Sequence, residues 1–311
     1  MSPHPSSVIE FNSATKVYRS LLGRSVTAVE EFSLRVGEGE VLGIAGPNGA
    51  GKSTLISLLL GYLRPTGGSV TIDGREPRAY VENNGIGYLS ELITINPNWT
   101  AESALSRFGV LAAIPPAERR TRVEAVIEQL GLEEHRAKKV KALSKGNLQR
   151  LGLAQSLLRD EKVMILDEPT HGLDPVWTQK FRGIVEGLRR PGRTILIASH
   201  NLDELQRVAD RVAIIDKGRL QRLVQTGYDQ TAETAGSYRI AVVSGGEKMK
   251  EIFPAAVDHG GGEFEIPITN VADLNAAIAK AIAAGVMLAS FVPARSVLEQ
   301  QFREAVGENN S

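Results

Sequence analysis

The sequence contains no cysteine, no long hydrophobic run and no excess of charge of either sign. Without cysteine, the chain has no disulfide framework, no thiolate zinc site and no cysteine nucleophile. Its apolar runs are shorter than the roughly 18–20 residues of a membrane helix, so LISLLLGYL and AIAAGVMLASFV are interpreted as core segments. The start of the chain also lacks the pattern of a signal peptide. We therefore expect another chain to span the bilayer if this protein serves a membrane process.

The balance of positive and negative charge limits which partners the chain can bind by electrostatic attraction. Lysine and arginine together number 36, as do aspartate and glutamate, so the formal net charge is zero. This balance argues against broad electrostatic binding to DNA or RNA, although a local basic patch stays open. A length of 311 residues fits one large domain plus a small one, or two medium ones.

Three short apolar segments in the first part of the chain each end at a candidate functional residue. They are GEVLGIAG, KVMILDEP and TILIASH. Each is interpreted as a buried strand, and open α/β sheets place their ligands at the carboxyl ends of such strands. Between them, AERRTRVEAVIEQLGL has helical spacing through Val123, Ile127 and Leu130, with Gly131 as its stop.

The composition changes after about residue 225. TGYDQTAETAGS, residues 226–237, is interpreted as a linker between a domain at 1–225 and a small α/β domain at 238–311. In the small domain YRIAVV, EFEIPI and VMLASFV are predicted strands, and SVLEQQFREAV is a candidate last helix. VADLNAAIAKAIAAG is a predicted helix whose apolar stripe is Val271, Leu274, Ile278 and Ile282.

The segment GPNGAGKST fits the phosphate-binding pattern G-x-x-x-x-G-K-[ST], between a predicted strand and a predicted helix. Its glycines let backbone N–H groups converge on phosphate oxygens. Lys52 would neutralise the terminal phosphates, and the Ser53 hydroxyl would bind Mg²⁺. The alternative, a chance glycine-rich turn, is disfavoured by the strand–loop–helix context.

Carboxylates and a histidine end the other two strands. Asp167 is a candidate Mg²⁺ ligand, and Glu168 is a candidate base that polarises the attacking water. His200 follows the next strand, where it would orient the γ-phosphate. An acidic strand end or a lone histidine is more often structural, and the phosphate loop is what favours the catalytic interpretation.

A second anion-binding site is predicted at LSKGNLQR, at the N terminus of a helix. Its serine and glycine precede the predicted helix LQRLGLAQSLLRD, whose dipole favours negative charge. An ordinary helix cap is the alternative interpretation. Two phosphate-binding ends in one chain suggest that the second one serves the nucleotide of a neighbouring chain.

Together these motifs resemble the ATP-binding subunits of ABC transporters, from Val8 to about Leu220. GPNGAGKST resembles their Walker A loop, VMILDE their Walker B strand, LSKGN their signature LSGGQ and HGLDP their D-loop. The histidine after TILIAS resembles their switch histidine, and Tyr18 the aromatic that stacks on adenine. The resemblance implies a P-loop ABC cassette: a mixed sheet, flanking helices and a helical signature subdomain at about 92–160.

Two departures from the family pattern stand out. Glu91 replaces the usual loop glutamine, and Lys145 and Asn147 replace a glycine and a glutamine of the signature. Both departures resemble a branch of export-type cassettes that often carry a small C-terminal domain.

The resemblance assigns a full set of site residues. Glu168 and His200 are catalytic, Asp174 belongs to the D-loop, and Ser53, Asp167 and Glu91 hold the metal. The signature residues that act on the partner's ATP are Ser144, Lys145, Gly146 and Asn147. The residues that bind ATP are Tyr18, Gly46, Pro47, Asn48, Gly49, Ala50, Gly51, Lys52, Ser53 and Thr54.

The implied function is ATP hydrolysis that energises an ABC transporter, with ATP and Mg²⁺ as cofactors. The expected partners are a second cassette (the same chain or a related one) and an integral membrane permease, which places the chain on the cytoplasmic side of the cell membrane. No nucleic acid partner is expected. The alternative is a soluble ABC ATPase that acts on nucleic acid or ribosomes. A non-hydrolysing regulatory subunit is disfavoured because Lys52, Asp167, Glu168 and His200 are all present.

Overall fold

The computed structural model describes residues 7–19, 25–226, 236–268, 271–293 and 297–307. The chain divides into two compact units, Met1–Gln225 and Thr226–Ser311. Most of the predicted linker, residues 227–235, lies outside the described residues. Its last two positions, Gly236 and Ser237, already belong to the first strand of the second unit.

Two sheets form the first unit. The smaller is antiparallel, with β1 (Ser7–Arg19) between β2 (Ser25–Gly37) and β4 (Gly67–Ile72). The larger has the order β5 (Gly87–Leu89), β6 (Val163–Asp167), β7 (Thr194–Ala198), β3 (Val41–Ala45), β8 (Arg211–Asp216) and β9 (Arg219–Gln225). Its strands are parallel except β9, which pairs antiparallel with β8. The mixed sheet expected from the sequence is confirmed.

The core explains the apolar run that follows the phosphate loop. Helix α1 (Lys52–Leu59) buries Leu55, Ile56, Leu58 and Leu59, and these side chains belong to the same cluster as residues of both sheets. Phe11 and Phe32 pack edge to face there at 5.2 Å. LISLLLGYL is therefore a core segment, as predicted. In the described part of the chain, no helix has the length and apolarity to cross a membrane.

The other helices of the first unit lie between its strands along the chain. They are α2 (Pro77–Asn84), α3 (Ala101–Leu111), α4 (Pro116–Gln129), α5 (Lys145–Leu157), α6 (Pro175–Leu188) and α7 (Leu202–Val208). Helix α4 buries Val123 and Ile127, followed by buried Leu130, and it ends before Gly131, whose φ is +57°. This confirms the predicted helix and its glycine stop, since a left-handed residue after the last turn favours glycine.

The second unit is a split βαββαβ arrangement. Its elements are β10 (Gly236–Ser244), α8 (Met249–Ile252), β11 (Val257–Gly260), β12 (Glu263–Ile268), α9 (Val271–Ala283), β13 (Met287–Pro293) and α10 (Val297–Val306). The antiparallel sheet has the order β11-β12-β10-β13. Ile240, Phe264 and Ile266 pack with Met249 and Ala281 in its core.

The predicted apolar stripe of α9 is wrong at Ile282, which is 61% exposed. Among the described side chains of α9, the buried ones are Ala277 and Ala281, so small side chains let this helix lie close to the sheet. Ile278 is half-buried, and the side chains of Val271 and Leu274 lie outside the described part of the structure.

Candidate active site

The phosphate loop connects β3 to α1 and depends on two glycines for its shape. A Cβ on Gly46 would lie 2.5 Å from the carbonyl oxygen of Ile215, closer than atoms can approach. Gly51 caps α1 with a φ of +110°, and a Cβ there would lie 2.6 Å from the carbonyl oxygen of Ala28. Both positions therefore require glycine, because they combine close backbone approach with a tight turn.

Lys52 is the first residue of α1 and folds back over the loop. Its ammonium donates to the carbonyl oxygens of Gly46 at 2.5 Å and Pro47 at 3.3 Å. Burial lowers the pKa of Lys52, while the nearby carboxylates of Glu168, Asp167 and Glu91 act in the opposite direction. The lysine thus lies between the phosphate loop and an acidic group of side chains.

The acidic group is centred on Asp167, the last residue of β6. Asp167 is buried, and this burial, with the negative charges of Glu91 and Glu168, raises its pKa from 3.8 to about 7. The Lys52 ammonium only partly offsets this shift. A divalent cation would neutralise such a group. Mg²⁺ is usually held by one or two carboxylates plus substrate phosphates. The described residues contain no group of three or more His, Cys, Asp or Glu side chains that could hold a metal ion by themselves.

Glu168 is held by the end of the neighbouring strand β7. Its backbone N–H donates to the carbonyl oxygen of Ala198 at 2.8 Å. Its buried carboxylate accepts from the backbone N–H of His200 at 3.0 Å and from the Ser199 hydroxyl at 3.2 Å. The Nδ1 atom of His200 lies 2.9 Å from the same carboxylate, and the imidazole is largely exposed. The structure therefore brings the two predicted catalytic side chains into direct contact.

Helix α5 begins at Lys145, within the signature segment, about one turn earlier than predicted from the sequence. Ser144 is the N-cap, and its hydroxyl accepts from the backbone N–H of Asn147 at 3.3 Å. Lys145 and Gly146 therefore belong to the first turn of the helix, because the serine cap stabilises that turn. The Asn147 side-chain oxygen accepts a hydrogen bond from Arg150 of the same chain.

Lys145 connects the signature with the D-loop. Its ammonium lies 2.5 Å from Nε2 of His171. Its aliphatic stem lies across Gly172, where a Cβ would be 2.9 Å from the lysine Cδ. Asp174 caps α6 by accepting from the backbone N–H of Trp177 at 2.9 Å.

Tyr18 lies beside the end of the phosphate loop. Its hydroxyl oxygen is 3.5 Å from the Thr54 hydroxyl oxygen, and 42% of the residue is exposed. Lys16 lies 5.8 Å from the ring centroid. An exposed ring next to a phosphate loop is available for stacking on a base.

Two buried polar residues of the site did not emerge from the sequence motifs. Ser199 accepts from the backbone N–H of Asn201 at 3.0 Å, so its own hydroxyl hydrogen is directed to Glu168. Gln149, in the second turn of α5, donates to the carbonyl oxygens of Glu168 and Pro169. The sequence signal for both was weak: a serine next to the candidate histidine, and a glutamine among the apolar residues of a predicted helix.

Known proteins resemble this chain in sequence. The profile of the ABC transporter family matches residues 29–171 of this chain. The Nod factor export ATP-binding protein I of Paraburkholderia xenovorans is 35% identical over 218 residues, which cover 69% of this chain and 70% of that protein. The chain belongs to the ATP-binding proteins of ABC transporters. Its first unit is an ATP-binding cassette.

Other ABC proteins define how far the similarity extends. The Uncharacterized ABC transporter ATP-binding protein sll0415 of Synechocystis sp. is 37% identical over 70% of this chain, but the alignment spans only 63% of that protein, less than two thirds of its length. The Methionine import ATP-binding protein MetN of Thermobifida fusca is 36% identical over 68% of this chain and 67% of that protein. Proteins named for import and for export thus match the ABC chain equally well.

The fold agrees with a solved ABC cassette. A dimeric post-hydrolysis structure of the ATP-binding cassette MJ0796, bound to ADP and Pi, covers 70% of this chain and 99% of that one, with a TM-score of 0.65 and 24% identity. The P-loop ABC cassette fold predicted from the sequence is therefore confirmed.

Proposed function

We propose that this chain is the ATP-hydrolysing subunit of an ABC transporter of the export type, working with separate membrane-spanning subunits. The observation that carries the proposal is the contact between Glu168 and His200, next to Asp167 and the phosphate loop. A cassette that only binds ATP has no need for a carboxylate oriented in this way. A base and an orienting group at the carboxyl ends of adjacent strands are what phosphoryl transfer to water requires.

The residues of the loop would bind the nucleotide. Backbone N–H groups of residues 46–54 converge on the phosphates, and Lys52 moves from its carbonyl contacts to their negative charge. Tyr18 stacks on adenine. Ser53 and Asp167, with Glu91, would hold Mg²⁺, which would neutralise negative charge on the phosphates. Glu91 adds negative charge to this group, so Lys52 has more to balance than in a cassette with glutamine at this position.

Hydrolysis would then depend on Glu168. Its carboxylate accepts a proton from the attacking water, a contribution that general bases make at about 10²–10⁴-fold. His200 keeps the carboxylate in place and orients the γ-phosphate through its exposed ring. Because the two side chains are in contact, movement of either one alters the other.

A second cassette completes the site in this proposal. Ser144 and Gly146, at the N terminus of α5, would face the γ-phosphate bound by the partner. The exposed position of Asp174 at the start of α6 also suits a contact between cassettes. The pair consists of two copies of this chain or of this chain and a related one.

The proposed contact with the permease is the segment from Glu91 to Glu102, together with the rest of helix α3. Leu92 and Leu111 are each 79% exposed and Val110 is 55% exposed, so this part of the cassette presents apolar side chains to a partner. The chain would then lie on the cytoplasmic face of the membrane, held there by its permease. Export is favoured by Glu91, Lys145 and Asn147, the departures that resemble export-type cassettes.

Purified full-length chain tests the proposal. We expect Mg²⁺-dependent ATP hydrolysis, and ATP-dependent pairing of chains measured by size-exclusion chromatography. DNA, RNA or ribosomes should leave the rate unchanged. Stimulation by any of these three would instead support a soluble ABC ATPase that acts on nucleic acid or ribosomes.

A further inference from the structure

The backbone at Glu168 is unusual for a residue with a side chain. Its φ is +48°, in the left-handed region that glycine favours. A strained conformation at a functional residue persists only where the surrounding structure determines it. The peptide that follows Glu168 is one of the groups that fix this conformation, and with it the direction of the side chain.

Gln149 is the side chain that reaches this peptide from the signature helix. Its Nε2 atom donates to the carbonyl oxygen of Glu168 at 3.0 Å and to that of Pro169 at 3.1 Å. Gln149 is only 5% exposed, so these bonds form away from water, where leaving a carbonyl without its donor is costly. The backbone N–H of His171 also donates to the Glu168 carbonyl, at 3.1 Å.

Glu168 accepts hydrogen bonds both at its carboxylate and at its backbone carbonyl. Ser199 and His200 hold the carboxylate, whereas Gln149 holds the carbonyl. Because the carboxylate and the backbone carbonyl are both held by hydrogen bonds, the orientation of the carboxylate is fixed. Without Gln149, the carbonyl keeps only the His171 bond, and the left-handed conformation of Glu168 loses one of the contacts that stabilise it.

We infer that Gln149 is a positioning residue for hydrolysis: it holds the backbone of Glu168 in the left-handed conformation from which the carboxylate reaches the attacking water. The inference rests on the proposed function of Glu168. It makes α5 serve two sites, since its N terminus would face the partner's nucleotide while Gln149 supports the base of its own chain.

The test compares full-length Gln149→Met with wild type. Methionine keeps the length and volume of the side chain but removes both donors. We expect kcat for ATP hydrolysis to fall about tenfold or more, because small displacements of a catalytic group have large effects. The Kd for a fluorescent ATP analogue should stay within about twofold. Gln155→Met, on the same helix, is the matched control and should retain the wild-type rate.

A second readout separates positioning from damage to the signature helix. Gln149→Met is combined with Glu168→Gln, and ATP-induced pairing is measured by size-exclusion chromatography. Retained pairing together with the lost kcat supports the inference. Unchanged kcat in Gln149→Met, or loss of pairing in the double variant, overturns it. If circular dichroism shows that Gln149→Met does not fold, Gln149→Asn, whose amide is one methylene too short, replaces it with the same expectations. Failure of the proposed function appears differently: wild type would neither hydrolyse ATP nor pair.

Discussion

The Nδ1 atom of His200 lies 2.9 Å from a carboxylate oxygen of Glu168, and the backbone N–H of His200 donates to the other oxygen at 3.0 Å. These residues directly follow two neighbouring parallel strands, β6 and β7, so the sheet itself brings them together. The contact links the proposed base to the group that would sense the γ-phosphate. Loss of either side chain should therefore affect turnover more than ATP binding.

Glu168→Gln is the direct test of the base. Glutamine keeps the size of the side chain and one acceptor oxygen, so it retains one of the two hydrogen bonds from Ser199 and His200, but it cannot take a proton from water. We expect kcat to fall by about 10²-fold or more, with ATP binding and ATP-induced pairing intact. A variant that hydrolyses ATP at the normal rate would remove Glu168 from this role.

The buried acid Asp167 should make stability depend on pH. Its pKa is raised from 3.8 to about 7 in the folded chain, so the folded state binds a proton that the unfolded state releases above pH 4. Stability therefore falls as pH rises through this window and stays lower above pH 7. Asp167→Asn removes the penalty, and in nucleotide-free protein with chelator it should stabilise more at pH 8 than at pH 5.5.

The expected size of this difference follows from the pH interval between 5.5 and the raised pKa of about 7. It is on the order of 1–2 kcal/mol between the two pH values, or a few degrees in Tm. Thermal unfolding at both pH values measures it. An equal effect of Asp167→Asn at pH 5.5 and pH 8 would contradict the raised pKa.

The phosphate loop should not tolerate a methyl group at Gly46. In Gly46→Ala the new Cβ would meet the Ile215 carbonyl oxygen, so β3 or the loop must shift. We expect a loss of about 1–3 kcal/mol in the free energy of unfolding and weaker ATP binding. Gly183→Ala, in α6 with open space around the new Cβ, is the control and should stabilise by about 0.5–1 kcal/mol. Equal behaviour of the two variants would show that the loop can relax around the added methyl group.

The sequence predicts the position of the site well because central parallel strands have a simple signature. Strands β3, β6 and β7 are buried at every residue, which gives continuous apolar runs. Polar residues directly after such runs must lie at the carboxyl edge of the sheet. Asp167, Glu168 and His200 could therefore be placed together from the sequence alone.

Contacts between elements distant in sequence could not be predicted in this way. The pairing of Lys145 with His171 and the bonds from Gln149 to the Glu168 peptide depend on how α5 lies against the loop after β6. The error at Ile282 has a related cause: alanines at 277 and 281 allow close packing, and apolarity alone favours the larger isoleucine.

The second unit is proposed to regulate or stabilise the pair of cassettes. A chain that ends at Gly227 lacks this unit and keeps all strands and helices of the first, so we expect it to fold. In the Glu168→Gln background its ATP-induced pairing should be weaker than that of the full chain, measured by analytical ultracentrifugation. Full ATPase and transport activity of the shortened chain would show that the second unit has neither role.

If this chain is a transporter subunit, it must bind a permease. Isolating the proteins that bind the chain tests this directly. Tagged Glu168→Gln protein is pulled down with Mg-ATP from detergent-solubilised native membranes, and the co-purified proteins are identified by mass spectrometry. We expect a hydrophobic protein with several membrane spans at near-equal stoichiometry. Recovery of ribosomes or nucleic acid, without a membrane partner, would contradict it.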